Sequence, residues 1–246
     1  MTDLPVGEIV EAGTTAFVAQ CLEVPRHIMP KLYDPPPFGS FVKIGGMSPP
    51  AVPEASPPPA LDAPEGEPDP FDTPPLAPPS LEMSPLPAAT YALVFNACTS
   101  SLEPSRRPSA LGFADEDEMR RQQPQIFELL RTEFSGLLIA YSPGDGGALR
   151  RHLPPRPPRI HSRVYECSPD DVRLLTADLG FLRGILLGAS GVLGGAPADE
   201  LAAACLRQAR AAHPGDEAFL LGAGRTLAQI LADDYERLQA ILRSVL

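Results

Sequence analysis

Residues 6–21 read VGEIVEAGTTAFVAQC, and this stretch sets the fold class. In its second half Phe17, Ala19 and Cys21 alternate with Val18, Gln20 and Leu22, the period-two pattern of a strand with one buried face. Gly13 supplies a turn between it and VGEIVEAG, so the pair predicts a β-hairpin. Working outward, FGSFVKIGG (38–46) predicts another short strand with a glycine-rich exit, and strand character returns at Tyr91–Cys98 in TYALVFNACTSS. SGLLIAYS follows as a strand over Leu137–Tyr141, ended by the turn residues PGDGG. Between these, ADEDEMRRQQPQIFELLRT (114–132) predicts a charged helix with acids in its first turn, broken or kinked at Pro124. Repeated short strands with glycines at their bends and one late helix predict a small β-barrel.

Composition divides the chain further. It has 246 residues and 32 prolines, and 15 of those prolines fall between Ser48 and Pro87, a stretch without Lys or Arg. Proline removes backbone donors, and the scattered apolar residues offer too little surface to offset chain entropy. Residues 48–87 are therefore expected to be a disordered or polyproline-II insertion in the barrel. The net charge is −11; residues 1–100 carry 3 basic and 12 acidic side chains, and residues 101–246 carry 17 and 19. Such a balance argues against general nucleic-acid binding. The local exception is Arg150, Arg151, Arg156, Arg159 and Arg163, with no acid between them.

From Ser168 the pattern becomes helical. Ser168 reads as an N-cap, Pro169 as the first helical residue, and Asp170 and Asp171 as first-turn acids. Val172, Leu175, Leu179, Leu182 and Leu186 follow at helical spacing, then Leu201, Cys205, Ala209 and Ala212 along a second stripe. Leu227, Leu231, Leu238, Ile241 and Val245 could line the buried face of one long or two shorter terminal helices. The final third is thus an all-α module of about three or four helices. The expected class is α+β and multidomain: a barrel of residues 4–47 plus 88–145, the insertion 48–87, an Arg/Pro-rich exit segment 146–167, and a helical module 168–246.

Taken in order, VGEIVEAGTTAFVAQCLE, DPPPFGSFVKIG, SGLLIAY and LPPRPPRIHSRVYECSPDDV resemble a HAS-barrel domain. That barrel precedes the motor of HerA-type DNA translocases and is related to the N-terminal barrels of rotary ATP synthase subunits. The resemblance spans residues 4–168 without the insertion. It implies an assembly or interaction element and not a catalytic one, and by fold analogy a HerA-type or rotary ATPase as partner.

Catalytic motifs are not expected. Gly188–Gly195 imitates a phosphate loop, but Gly195 and Ala196 stand where Lys and Ser/Thr are required, and the residues before it read as helix. A turn linking two helices is the better reading. Ile230–Asp234 imitates a Walker B strand in helical surroundings, and Gly188-x-Ser190 misses a nucleophile elbow by one position. His27, His152, His161 and His213 have no metal-ligand spacing, and Cys21, Cys98, Cys167 and Cys205 are read as free thiols of a cytoplasmic protein. MTDLPVGEIV lacks a signal-peptide pattern, and no stretch approaches the roughly 20 apolar residues of a membrane span. No cofactor or metal is expected. The expected function is a non-enzymatic protein-interaction or assembly module whose barrel docks on a partner and whose helices make a second contact or a homo-oligomer. The alternative is a nucleic-acid-processing accessory factor that uses Arg150, Arg151, Arg156, Arg159 and Arg163. An acidic protein partner or the chain's own acidic insertion could also meet those arginines. A degenerate nucleotide-binding remnant is a further rival.

Overall fold

The computed structural model describes residues 4–22, 35–45, 87–103, 105, 107–144, 147–188 and 191–245. The strands are β1 (Gly7–Ala12), β2 (Ala16–Cys21), β3 (Phe41–Gly45) and β4 (Ala89–Ser101). Helices α1 (Glu116–Gln122) and α2 (Gln125–Glu128) precede β5 (Leu130–Ser142) and β6 (Arg163–Glu166). The chain ends in α3 (Pro169–Thr176), α4 (Phe181–Gly188), α5 (Ala198–Ala212), α6 (Glu217–Ile230) and α7 (Tyr235–Val245). The Pro-rich residues 48–86 and His27 lie outside the described residues.

All six strands pair antiparallel in a closed barrel of order β1-β2-β5-β4-β3-β6. The exit segment does not simply leave the barrel. Its residues 163–166 become the closing strand, with Val164 opposite both Gly7 of β1 and Ile44 of β3. Four residues between proline-rich stretches carry little strand signal of their own, and two neighbouring edges in need of partners override that weakness. A bulge between Ile9 and Glu11 bends β1, and two more bend β4 against β5, as closure of a small ring requires.

The interior is filled by side chains. Ile9, Phe17, Ala19, Val42, Ile44, Ala92, Val94, Phe134, Leu138 and Val164 form one buried cluster, with the Phe17 and Phe134 rings edge to face at 6.3 Å. Gly136 makes room for this pair, because a Cβ there would stand 2.4 Å from the Phe17 ring.

A second core lies outside the barrel wall. Phe41, Tyr91, Leu93, Phe95, Leu137 and Ile139 point outward from β3, β4 and β5 and join the buried faces of the helices. Every residue of the three helical stripes expected from the sequence is buried. The stripe from Val172 to Leu186 is nevertheless divided between α3 and α4, and the terminal region makes two helices, so the layer has five. α3 starts as its residues dictate: Ser168 and Asp171 form a reciprocal capping box with Pro169 in the first turn.

Three contacts lock the layers together. The Lys43 ammonium on β3 donates to Asp171 Oδ2 at 2.9 Å. Phe41 meets Phe181 edge to face at 6.3 Å. Gly39, at φ +79°, lies so close to α5 that a Cβ would stand 2.5 Å from the Ala204 Cβ and 2.7 Å from α5 backbone atoms.

The charged helix expected over 114–132 is shorter than its pattern suggests. Asp115 caps α1, Gln123 and Pro124 interrupt it, and only α2 follows before β5 begins at Leu130. The residues RTEF pair with β4 as Thr132↔Thr99 and Phe134↔Ala97, and their tertiary partners outweigh the local helical pattern. β4 and β5 consequently extend past the ring as a two-stranded arm, with α1 and α2 in the segment that joins its strands.

Candidate functional site

The arginines at 150–163 are neighbours in sequence but not in one surface. Arg150 forms an isolated bridge with Tyr141 at the end of β5, and its guanidinium reaches the Tyr141 hydroxyl at 3.4 Å. Arg151 donates to the Leu174 and Leu175 carbonyls at 2.7 and 3.3 Å, closing the C-terminal end of α3. Arg163 is on β6 and pairs with Glu8 at 2.8 Å. β5 and β6 are three strands apart in either direction round the ring, so Arg150 and Arg163 stand on opposite walls. Among the described residues, the side chains of Arg156 and Arg159 make no hydrogen bond or ion pair.

Glu8 also lies 2.6 Å from His161 Nδ1. The His161 hydrogen bond, together with Arg163, outweighs desolvation and holds the Glu8 carboxyl below its usual range. His161 has φ 68°, and its N–H donates to the Ile9 carbonyl, so this residue fixes the turn into β6. His213 stacks on Phe219 at 4.2 Å and bonds the Thr176 hydroxyl through Nε2 at 2.9 Å. His152 packs edge-on against Tyr141.

Asp171 is the second perturbed carboxylate. Burial would raise it, but hydrogen bonds from Lys43 and Ser168 prevail and hold it below the ordinary range. Burial pushes the thiols of Cys167 and Cys205 well up, which suppresses the thiolate. No group of three His, Cys, Asp or Glu that could hold a metal is found among the described residues.

The glycine-rich stretch joins α4 to α5. Gly188 is the last residue of α4, and Gly194 and Gly195 turn the chain at φ 57° and 96° before Pro197 caps α5. Leu193 anchors this turn in the helical core. A helix, not a strand, leads into it.

The feature best placed to receive something is a groove of about 570 Å³ between the outer face of β5 and helix α4. Leu137 and Ile139 form one side; Phe181, Ile185 and Leu187 form the other. Leu153 and Val192 also line it, and Arg151, His152 and Arg183 are its charged or titratable lining side chains. Leu187 is 53% exposed and Leu153 41%; exposed leucines also occur elsewhere on the surface, and what sets these two apart is that both line one groove. Gly180, Gly184 and Gly188 also line it, one per helical turn, and a Cβ at Gly184 or Gly188 would meet nothing within 4 Å. Of these residues Arg151, His152 and Gly188 stood out in sequence, Gly188 only as part of the apparent phosphate loop. The spacing G-x-x-x-G-x-x-x-G in GFLRGILLG was the available signal, masked by its likeness to a phosphate loop.

No helix among the described residues is long and apolar enough to cross a membrane. No protein-family model matches the chain, and no curated protein matches it.

Proposed function

We propose that this protein is a non-catalytic interaction or assembly module of the HAS-barrel type, presenting the β5–α4 groove to a partner protein. The observation that carries the reading is the groove itself, where large apolar side chains stay exposed beside a barrel whose interior is already full. A filled barrel supports function on its outer surface, as small barrels with packed interiors have no room for ligand inside. The HAS-barrel likeness adds a class of partner, a HerA-type or rotary ATPase assembly, in which barrels meet barrels.

Affinity purification of the intact chain beside a Leu153→Asp/Leu187→Asp variant tests the reading. Both side chains are exposed, so the variant keeps the wild-type circular dichroism spectrum. A partner lost from the variant alone supports the proposal; identical co-purifying proteins sink it.

The nucleic-acid reading keeps one supporting observation, the unengaged side chains of Arg156 and Arg159. Salt-dependent DNA binding that disappears in an Arg156→Gln/Arg159→Gln variant favours it.

A further inference from the structure

We propose that the β5–α4 groove is the docking site for an acidic amphipathic helix of the partner, a step that rests on reading the groove as an interaction surface. The charge on its edge selects the sign. The chain as a whole is strongly negative at −11, yet the lining holds Arg151, His152 and Arg183 and no Asp or Glu. Arg150, next to Arg151 in sequence, bridges to Tyr141 near the end of β5. Arg183 is exposed and its side chain makes no hydrogen bond or ion pair among the described residues. Arg151 is engaged by the α3 carbonyls, but these are uncharged and leave its positive charge in place. The neighbouring acid, Asp178, accepts the Gly180 N–H at 2.8 Å and keeps its negative charge, so the arginines Arg151 and Arg183 outnumber it at this edge. A basic edge on a chain of net negative charge is a device for choosing and orienting a negatively charged partner.

The shape selects a helix. The open lane over Gly184 and Gly188 lets a backbone approach α4 closely, while the exposed Leu187 and Leu153 and the half-buried Phe181 offer contacts to side chains at i, i+3, i+4 and i+7. α4 spans two turns, which matches a short anchor of three or four apolar residues and not an extended interface. Acidic residues flanking those anchors would face Arg183 and Arg151.

The test uses the full chain and a fluorescent helical peptide of about 20 residues, with leucines at i, i+3, i+4 and i+7 and glutamates on both flanks. A peptide with every glutamate replaced by lysine and a scrambled peptide serve as controls. The glutamate peptide is expected to bind about tenfold or more tighter than either control. Gly184→Leu fills the lane and Arg183→Glu inverts the rim, and each is expected to weaken binding by about tenfold or more while leaving thermal unfolding at the wild-type temperature. Equal affinity for glutamate and lysine peptides, or indifference to Gly184→Leu, overturns the proposal. So does a groove that takes dodecanoate in place of the peptide. A third variant neutralises Glu54, Asp62, Glu65, Glu67, Asp69, Asp72 and Glu82 to Gln or Asn; binding seen only there makes the chain's own acidic segment the occupant and overturns the proposal too. If Leu153→Asp/Leu187→Asp still loses its partner while the acidic peptide fails, the groove stands as a docking surface and the acidic helix alone is refuted.

Discussion

In β2 half-buried and buried residues alternate, as they do in β1 up to its bulge, whereas β4 is buried without interruption from Thr90 to Phe95 and β5 from Gly136 to Tyr141. The first pair has one face in the barrel interior and the other toward solvent. The second pair is a wall between two cores, with Ala92 and Val94 facing inward and Tyr91, Leu93 and Phe95 facing the helices. The sequence carries this difference directly: AFVAQC alternates, while TYALVF and GLLIAY are continuous apolar runs of the kind expected of a strand covered on both sides. A shared wall also means that barrel and helices unfold together if the outer core is as well packed as the inner one.

The strongest way to break that comparison is to damage each core separately. Phe17→Ala in the interior and Leu201→Ala in the outer layer are each expected to lower stability by about 2–5 kcal/mol. Urea unfolding should be followed both by helical circular dichroism and by tyrosine fluorescence, since Tyr91 is buried on the outer side of the wall. Coincident transitions in both variants are expected; two separate steps for Leu201→Ala would show a helical layer that melts alone.

Next comes the seam. Gly39→Ala combines a left-handed φ with a collision against α5, and roughly 2–4 kcal/mol is expected to be lost. Ala204→Gly should not restore it, because α5 backbone atoms remain 2.7 Å from the new methyl group. Full rescue would mean that the contact is softer than its geometry implies.

A smaller effect belongs to Lys43. Lys43→Met is expected to lower stability by about 1 kcal/mol near neutral pH. Because Asp171 is held below the ordinary carboxylate range, its contribution is complete above about pH 4 and is lost as pH falls through its lowered folded value. Wild type should therefore lose more stability than Lys43→Met between pH 6 and pH 2.5, and parallel pH profiles would remove the ion pair from the seam. At the bottom of the scale, Gln20→Thr on the open face of β2 should stay within about 0.5 kcal/mol of wild type in the same urea titration.

The legible parts of the fold were those in which local pattern and tertiary burial agree. The helical stripes, the capping box at Ser168 and the alternating β2 all satisfy that condition. β5 fails it in its first half, where Arg131, Glu133 and a preceding helical pattern conceal a strand that exists only because β4 pairs with it. β6 fails for the same reason, since RVYE acquires its meaning from the edges of β1 and β3. The arginine segment misleads in the opposite direction: five like charges along fourteen residues suggest a patch, but the turn through the ring separates Arg150 from Arg163. The groove was hidden because it is made by elements more than forty residues apart, β5 at Leu137 and α4 at Leu187.

Closure by β6 has a consequence for synthesis. The ring joins Gly7 to Val164, so a nascent chain displays the pairing edges of β1 and β3 until Glu166 has left the ribosome. At ordinary translation rates that interval is roughly 8–30 s, during which open strand edges are exposed to other chains. A product cut short before Arg163 would not be a smaller barrel but an open sheet, and its two bare edges are where aggregation or holdase capture would begin.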